Sequence, residues 1–291
     1  MKTFIKYLPH GIDSVAYRPI TESDDDYADF VNFSRNFRKK HQVEFIVFWV
    51  NRNISRKRPS DVILAFDQFQ KQLPKNKRSS VALLMHTDPV DPSGTDLPKV
   101  KADLAPDIKV IFSNRKLDTR MMNFMHNLAD VTINLASNEG FGLTTAESLM
   151  AGTPIVANVT GGLQDQMRFT VRNGSIMKLT PKIPTNAIKY TTRCGSWVKP
   201  VFPSNRSLNG SLQTPYIYDE RCSIEDAANA LMAWHRLIPE TRRSHGLKGR
   251  EWLLSEESRM NSEALGKSFT SAVNEIFEQW MPKPRLTIEK I

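Results

Sequence analysis

Two glutamates, Glu139 and Glu147, stand eight positions apart on either side of a glycine-rich turn. The apolar stretch before the turn predicts a strand, and the stretch after it predicts a helix. Glycine permits positive φ angles and close approach of a ligand to the backbone. Because the first N–H groups of a helix lack intrahelical acceptors and lie at the positive end of its dipole, the turn predicts an anion site. The residues of this predicted site are Gly140, Phe141, Gly142, Leu143 and Thr144.

Two carboxylates beside an anion site are electrostatically unfavourable unless they accept hydrogen bonds from hydroxyl groups. A nucleotide sugar offers such hydroxyls at both ends of its diphosphate, on the sugar ring and on the ribose. The spacing of Glu139 and Glu147 alone also fits a loop residue followed by a surface charge on a helix. Both interpretations of the pair stay open on spacing alone.

Four apolar runs of strand length precede these residues and a fifth follows them, and the runs alternate with helical patterns. They are Val43–Val50, Val81–Met85, Ile108–Phe112, Val131–Leu135 and Pro154–Ala157. Between the second and the third run, residues 88–98 are rich in Pro, Asp and Gly and predict a loop. Repeated β–α units with short connections imply an α/β fold with a parallel, right-handed, doubly wound sheet. Ligands of such sheets bind beyond the carboxyl ends of the strands, where the glycine-rich turn is expected.

The alternation is lost from Gly161 to Cys222, where Thr, Pro, Asn and Ser predominate. A segment of this length without regular elements is usually a functional loop or an insertion. Helices are expected to resume after an N-cap at Ser223 and to continue to about Trp280 with two interruptions. The last helix carries an apolar stripe that either packs on its own sheet or covers a neighbouring domain: Leu265, Phe269, Val273, Ile276 and Trp280.

The composition is that of an ordinary globular protein, with 40% hydrophobic and 24% charged residues among 291. No apolar run approaches the ~20 residues that a membrane helix needs, and Lys6 interrupts the region where a signal peptide is apolar. Two cysteines cannot form a disulfide framework, so we expect a cytoplasmic protein, with peripheral contact to a membrane as an alternative. The net charge of +9 suits an anionic ligand and leaves a nucleic-acid partner open as an alternative.

Residues 137–165, SNEGFGLTTAESLMAGTPIVANVTGGLQD, resemble the donor-binding signature of the retaining glycosyltransferase family 4 (glycosyl transferases group 1). Members of that family have the two-domain GT-B fold. Residues 50–59 are similar to its phosphate-binding loop, and residues 128–131 to the segment before its signature strand. Residues 8–19 look like the linker between its two domains. The resemblance therefore covers roughly residues 8–165.

The resemblance implies that the chain transfers a sugar from a nucleoside diphosphate sugar to an acceptor hydroxyl with retention of configuration. Arg52 and Lys57 would neutralise the diphosphate leaving group, with no metal or other cofactor required. Glu139 would hold the sugar hydroxyls on the reacting face, and Glu147 would bind the ribose diol. Candidate contacts to the base follow the third strand, at Asn114 and Arg115. A loop arginine paired with an acid is the other interpretation of Arg52.

The same resemblance predicts how the chain is divided. Residues 1–20 would be an interdomain-type linker, and residues 21–260 a Rossmann-like nucleotide-sugar-binding domain with an irregular insertion at about 166–222. Residues 261–291 would be a carboxyl-terminal crossing helix and tail. Asn51 stands where the family usually has a glycine, which leaves close backbone approach at that loop open.

On this interpretation the chain is the donor-binding half of the fold, and the acceptor is unknown. The acceptor half would be a missing part of a longer chain or a separate polypeptide, unless the donor half acts alone or as a homo-oligomer. Two other functions stay open: a non-catalytic subunit that binds nucleotide sugars beside a partner chain, and a glycosyltransferase that modifies nucleic acid. A sugar-nucleotide epimerase of similar architecture is a further alternative.

Overall fold

A central sheet of parallel strands organises the protein, whose computed structural model describes residues 4–171, 175–176 and 193–280. The strands are β1 (Phe45–Val50), β2 (Val81–His86), β3 (Val110–Ser113), β4 (Val131–Asn134), β5 (Ile155–Asn158) and β6 (Val198–Val201). Their order across the sheet is β3-β2-β1-β4-β5-β6, and each neighbouring pair is parallel. The winding direction reverses between β1 and β4. This topology confirms the predicted doubly wound α/β sheet.

Helices cover both faces of the sheet. They are α1 (Tyr27–His41), α2 (Pro59–Lys71), α3 (Leu97–Leu104), α4 (Thr119–Leu128), α5 (Leu143–Met150), α6 (Leu163–Met167), α7 (Ile224–His235), α8 (Pro239–Leu254) and α9 (Ser262–Gln279). All six residues of β1 are apolar and buried, because the strand lies inside the sheet. Successive side chains alternate between layers: Phe45, Val47 and Trp49 pack with α2 and α7, and the alternate residues pack with α1 and α4.

The helix starts follow local side-chain signals. The Ser223 hydroxyl accepts a hydrogen bond from the Asp226 N–H and caps α7, as the sequence predicted. Asp118 caps α4 in the same manner. Asp96 caps α3, within a stretch where the sequence predicted a loop over residues 88–98. That prediction is corrected at its end: Pro98 lies in the first turn of α3, where proline is tolerated.

The structure also differs from the prediction of irregular chain between Gly161 and Cys222. This region contains α6, the edge strand β6 and an antiparallel hairpin formed by β7 (Pro203–Asn209) and β8 (Ile217–Cys222). Strand β6 is short and contains a proline, which an edge position tolerates. The predicted insertion at 166–222 therefore contributes one strand to the main sheet and a ribbon beside it.

Parts of several predicted segments lie outside the described residues: 1–3 of the linker, 172–174 and 177–192 of the insertion, and 281–291 of the tail. The described part of the linker contacts the domain, since the Ile12 N–H donates to the Met260 carbonyl and Arg250 donates to the Ser14 carbonyl. In α9 the side chains of Phe269 and Ile276 are exposed. Among the described residues, no helix combines the length and apolar character needed to cross a membrane.

Candidate functional site

The loops that follow β1 and β4 meet at the carboxyl edge of the sheet, because these two strands are neighbours. The Glu139 carboxylate, with 6% of its side chain exposed, lies between them. Lys57 donates to its Oε1 atom, and Arg56 Nη1 lies 3.0 Å from Oε2. Asn134 Nδ2, at the end of β4, lies 3.5 Å from Oε1. The structure therefore brings together two of the predicted catalytic residues, Lys57 and Glu139.

This cluster has excess positive charge, and its Lys57 and Glu139 side chains are largely buried. Only 12% of the Lys57 side chain is exposed, and burial lowers the pKa of its ammonium group while the Glu139 charge opposes that change. Arg56, which the sequence analysis did not single out, gives the carboxylate a second cationic partner. The three side chains carry one net positive charge beside the predicted anion site.

The glycine-rich turn has the backbone that an anion site requires. Gly142 adopts φ +87° directly before α5, and a Cβ atom there would lie 2.4 Å from Leu163 Cδ2. The N–H groups of Leu143 and Thr144, in the first turn, have no acceptor within the helix. Within the described part of the chain, the buried Thr144 hydroxyl also lacks a hydrogen-bond partner. Groups with acceptor atoms could bind to these donors at the start of α5.

Glu147 lies in the second turn of α5 and is partly buried. Its Oε2 atom is 3.5 Å from Nε2 of His126, a fully buried residue of α4. Tyr17 lies near the same carboxylate, since burial and, after it, the Glu147 charge raise the pKa of the Tyr17 hydroxyl. Sequence reasoning missed both neighbours, since they lie far away in the chain and carry no spacing signal.

A second group of predicted residues lines a cavity of about 410 Å³ at the carboxyl ends of β1, β2 and β3. Arg52, Asn114 and Arg115 all border it. The Arg52 side chain is 65% exposed, and its Nε atom lies 2.9 Å from Asp91 Oδ2. In this structure Arg52 is therefore a loop arginine paired with an acid, which is the second of the two interpretations given in the sequence analysis.

His86 borders the same cavity at the end of β2, with its Nδ1 atom 3.0 Å from the Ser113 hydroxyl. Burial lowers the pKa of this imidazole, and the nearby His126 acts in the same direction. Among the described residues there is no group of three or more His, Cys, Asp or Glu side chains placed to hold a metal ion. The lining of the cavity combines cationic and neutral polar side chains with the carboxylate of Asp88.

Comparison with known proteins identifies the family to which this chain belongs. A model of the family described as "Glycosyl transferases group 1" matches residues 31–182, just over half of the chain. The chain belongs to this family of glycosyltransferases. It is 26% identical over 178 residues to a trehalose synthase from Rubrobacter xylanophilus, a match that covers 60% of this chain and 41% of that enzyme.

Solved structures share the fold. The carboxyl-terminal domain of a glycosyl transferase group 1 family protein (LpcC) from Francisella tularensis superimposes with a TM-score of 0.54 at 14% identity, covering 85% of this chain and 98% of that domain. Anabaena Alr3699/HepE, solved with UDP and glucose, gives a TM-score of 0.56 at 11% identity over 92% of this chain and 56% of that one. The matched stretches span 26–41% of the curated trehalose synthases' own length.

Proposed function

We propose that this chain binds the nucleoside diphosphate sugar of a retaining glycosyltransferase and acts in transfer of the sugar to an acceptor hydroxyl. The observation that carries the proposal is the buried Glu139 carboxylate, held by Lys57 and Arg56 where the sheet reverses its winding direction. Such crevices are where open α/β sheets bind ligands. A carboxylate at this place can accept hydrogen bonds from sugar hydroxyls, and the two cations can neutralise the charge of a diphosphate.

In the proposed complex, contacts to the donor replace the contacts between side chains of this cluster. The diphosphate would draw the Lys57 ammonium group away from Glu139, and the carboxylate would then accept hydrogen bonds from hydroxyls of the transferred sugar. As the glycosidic bond breaks, negative charge grows on the diphosphate. Lys57, Arg52 and the N–H groups at the start of α5 would stabilise that charge, without requiring a metal ion.

At the other end of the donor, Glu147 would accept hydrogen bonds from the ribose diol. The His126 imidazole lies beside its carboxylate, and 19% of the Glu147 side chain is exposed. The base would occupy the 410 Å³ cavity beside Asn114 and Arg115, whose volume is within the range of small-molecule sites. UDP in the similar Anabaena structure supports a nucleoside diphosphate as the ligand.

We further propose that the acceptor is presented by another domain or chain, since the chain spans less than half of the curated relatives that it matches. The candidates are a further part of a longer chain, a partner acceptor-domain chain and a second copy of this chain. Both cysteines, Cys194 and Cys222, are free thiols, which fits a cytoplasmic protein.

The proposal is tested by titrating UDP, GDP and ADP into the purified chain in EDTA, with melting temperature and calorimetric Kd as readouts. We expect one nucleoside diphosphate to stabilise the fold. Glu147→Ala should weaken its binding about tenfold, because the diol loses its charged acceptor. No stabilisation by any of the three nucleotides would contradict donor binding. With an acceptor supplied, NMR of the product anomeric proton would report retention or inversion.

A further inference from the structure

A cleft of about 770 Å³ separates the hairpin β7–β8 from the loop between β1 and α2. It adjoins the Glu139 cluster but is lined by different residues from the 410 Å³ cavity assigned above to the base. Its charged and polar lining includes Arg56, Arg58, Ser207, Asn209, Asp219 and Arg221. Its volume lies within the range of small-molecule sites.

The hairpin presents one face to this cleft. From Ser207 onward in β7, and throughout β8, the odd-numbered residues line it, and Ser207 is directly opposite Asp219 in the register. The even-numbered residues lie on the other face, as the two-residue period of a strand requires. There the Arg206 guanidinium lies 4.3 Å from the Tyr218 ring centroid and Arg206 Nε lies 3.4 Å from Glu220 Oε1. Both faces therefore carry an arginine, and the cleft face is the one that shares its lining with Arg56 and Asn138.

Asp219, the acidic residue of the cleft, already accepts hydrogen bonds from three side chains of the protein. Its carboxylate accepts from the Ser137 hydroxyl, Asn209 Nδ2 and Arg58 Nη2, each at 2.8 Å. Burial acts to raise its pKa, but the hydrogen bonds from Ser137 and Asn209 and the nearby arginines lower it, so it stays ionised. The carboxylate holds the Arg58 guanidinium in place through its Nη2 atom and leaves other donors of that group unused.

The arginines of the cleft retain free donors. Among the described residues, the buried Nε atom of Arg58 has no hydrogen-bond partner. Arg221 Nη2 lies 3.3 Å from Asp61 Oδ2, and 48% of the Arg221 side chain is exposed. Guanidinium groups present planar donor pairs that match the oxygens of phosphate. The free donors of these two residues therefore favour an anionic ligand.

Arg58 is also held in an unfavourable backbone conformation. It adopts φ +52° directly before α2, in the left-handed region that glycine occupies without strain. Strained residues persist where the surrounding structure fixes them, and they concentrate at functional sites. Here the ion pair with Asp219 ties the strained residue to the hairpin.

We propose that this cleft binds a phosphomonoester group on the acceptor, an assignment that rests on the transferase function proposed above. Arg56 joins the two sites, because it lines the cleft while its Nη1 atom lies 3.0 Å from Glu139 Oε2. Asn138, which precedes Glu139, lines the cleft as well. A phosphorylated acceptor anchored here would place its sugar beside the carboxylate that holds the donor sugar.

The test uses glucose 6-phosphate as the phosphomonoester probe, with glucose and inorganic phosphate as comparisons, added to the UDP-saturated chain. Binding is located by amide chemical shifts in ¹⁵N-edited NMR and quantified as Kd. We expect shifts in residues 205–221 and unchanged UDP affinity. Arg221→Gln should weaken glucose 6-phosphate about tenfold, whereas Arg221→Lys should retain part of the affinity. Arg206→Gln, the same charge change on the opposite face, is the matched control.

Three outcomes would overturn the assignment. The probe could compete with UDP and shift residues 50–57 only, which would place the anion in the donor site. Arg206→Gln could weaken the probe as much as Arg221→Gln, which would indicate a general charge effect. The probe could also produce no shifts while UDP still binds, which would leave the proposed donor function intact and remove this site alone.

Discussion

Lys57 and Glu139 form a buried ion pair between two loops, although 82 residues separate them in the sequence. One loop follows β1 and the other follows β4, so the pair bridges the strands between which the sheet reverses its winding direction. Each charge partly compensates the cost of removing the other from water. The pair is therefore a part of the fold as well as the centre of the proposed site.

Replacing Glu139 by Gln should reveal both roles. The variant leaves the Lys57 charge buried beside Arg56 without its carboxylate partner, and we expect a loss of about 3 kcal/mol in the free energy of unfolding. The pKa of Lys57 should fall further, because the charge that opposed its desolvation is gone. Transfer activity should fall about 100-fold or more. Urea denaturation, NMR titration of the lysine and initial rates measure the three effects, and a variant with unchanged transfer rates would contradict the role of Glu139.

Substitutions of Arg52 and of Asp91 should have different effects on donor binding. If Arg52 binds the diphosphate, Arg52→Gln should weaken UDP binding about tenfold. Asp91→Asn should leave UDP binding unchanged or strengthen it, because it releases Arg52 from its 2.9 Å ion pair. Calorimetry on the two variants compares them directly. Equal weakening in both would show instead that the ion pair positions the loop.

Alanine substitutions at Gly142 and Gly140, two glycines of the same turn, should differ in their effect on stability. Gly142→Ala forces a side chain onto a backbone with φ +87° and against Leu163, and should cost about 2 kcal/mol of stability. A Cβ atom at Gly140 meets no atom within 4 Å, so Gly140→Ala should leave the unfolding free energy nearly unchanged. Chemical denaturation measures this contrast. A stable Gly140→Ala variant with weakened UDP binding would locate the ligand against that backbone.

Acid should destabilise the protein partly through His86. Because burial lowers its pKa below the ordinary value of 6.5, the unfolded chain takes up a proton near that pH that the native protein does not. The free energy of unfolding should therefore decrease as pH falls through 6.5, until the pH drops below the native pKa. His86→Gln should flatten this dependence in urea denaturation at a series of pH values. An unchanged slope would exclude His86 as a contributor.

The sequence predicted the elements with strong periodic signals. Apolar runs located β1 to β5, and the Ser223 cap located α7, because these patterns are local. It missed β6, where a lysine and a proline fill the middle of a four-residue edge strand, and the hairpin, whose strand β7 is mostly polar and exposed. An exposed ribbon of this kind has no buried face to impose an apolar alternation.

The residues of the candidate site likewise fall into those that the sequence predicts and those that it does not. The glycine-rich turn and Glu139 could be found from the sequence, since motif and strand end coincide there. The partners Arg56, Arg58 and Asp219 could not, because their contacts join segments 83 to 161 residues apart and depend on how the hairpin docks. The spacing of residues in the sequence does not predict such contacts.

The docking of β8 has one more consequence for ligand binding. The Glu220 N–H donates to the Ser137 carbonyl at 2.9 Å, and Asn158 Nδ2 donates to the Glu220 carbonyl at 2.6 Å, so the segment that leads into Glu139 is anchored from the hairpin side. Its conformational entropy is given up during folding. A ligand that contacts Glu139 therefore meets a segment already in place, and the entropy of ordering it does not weaken the complex.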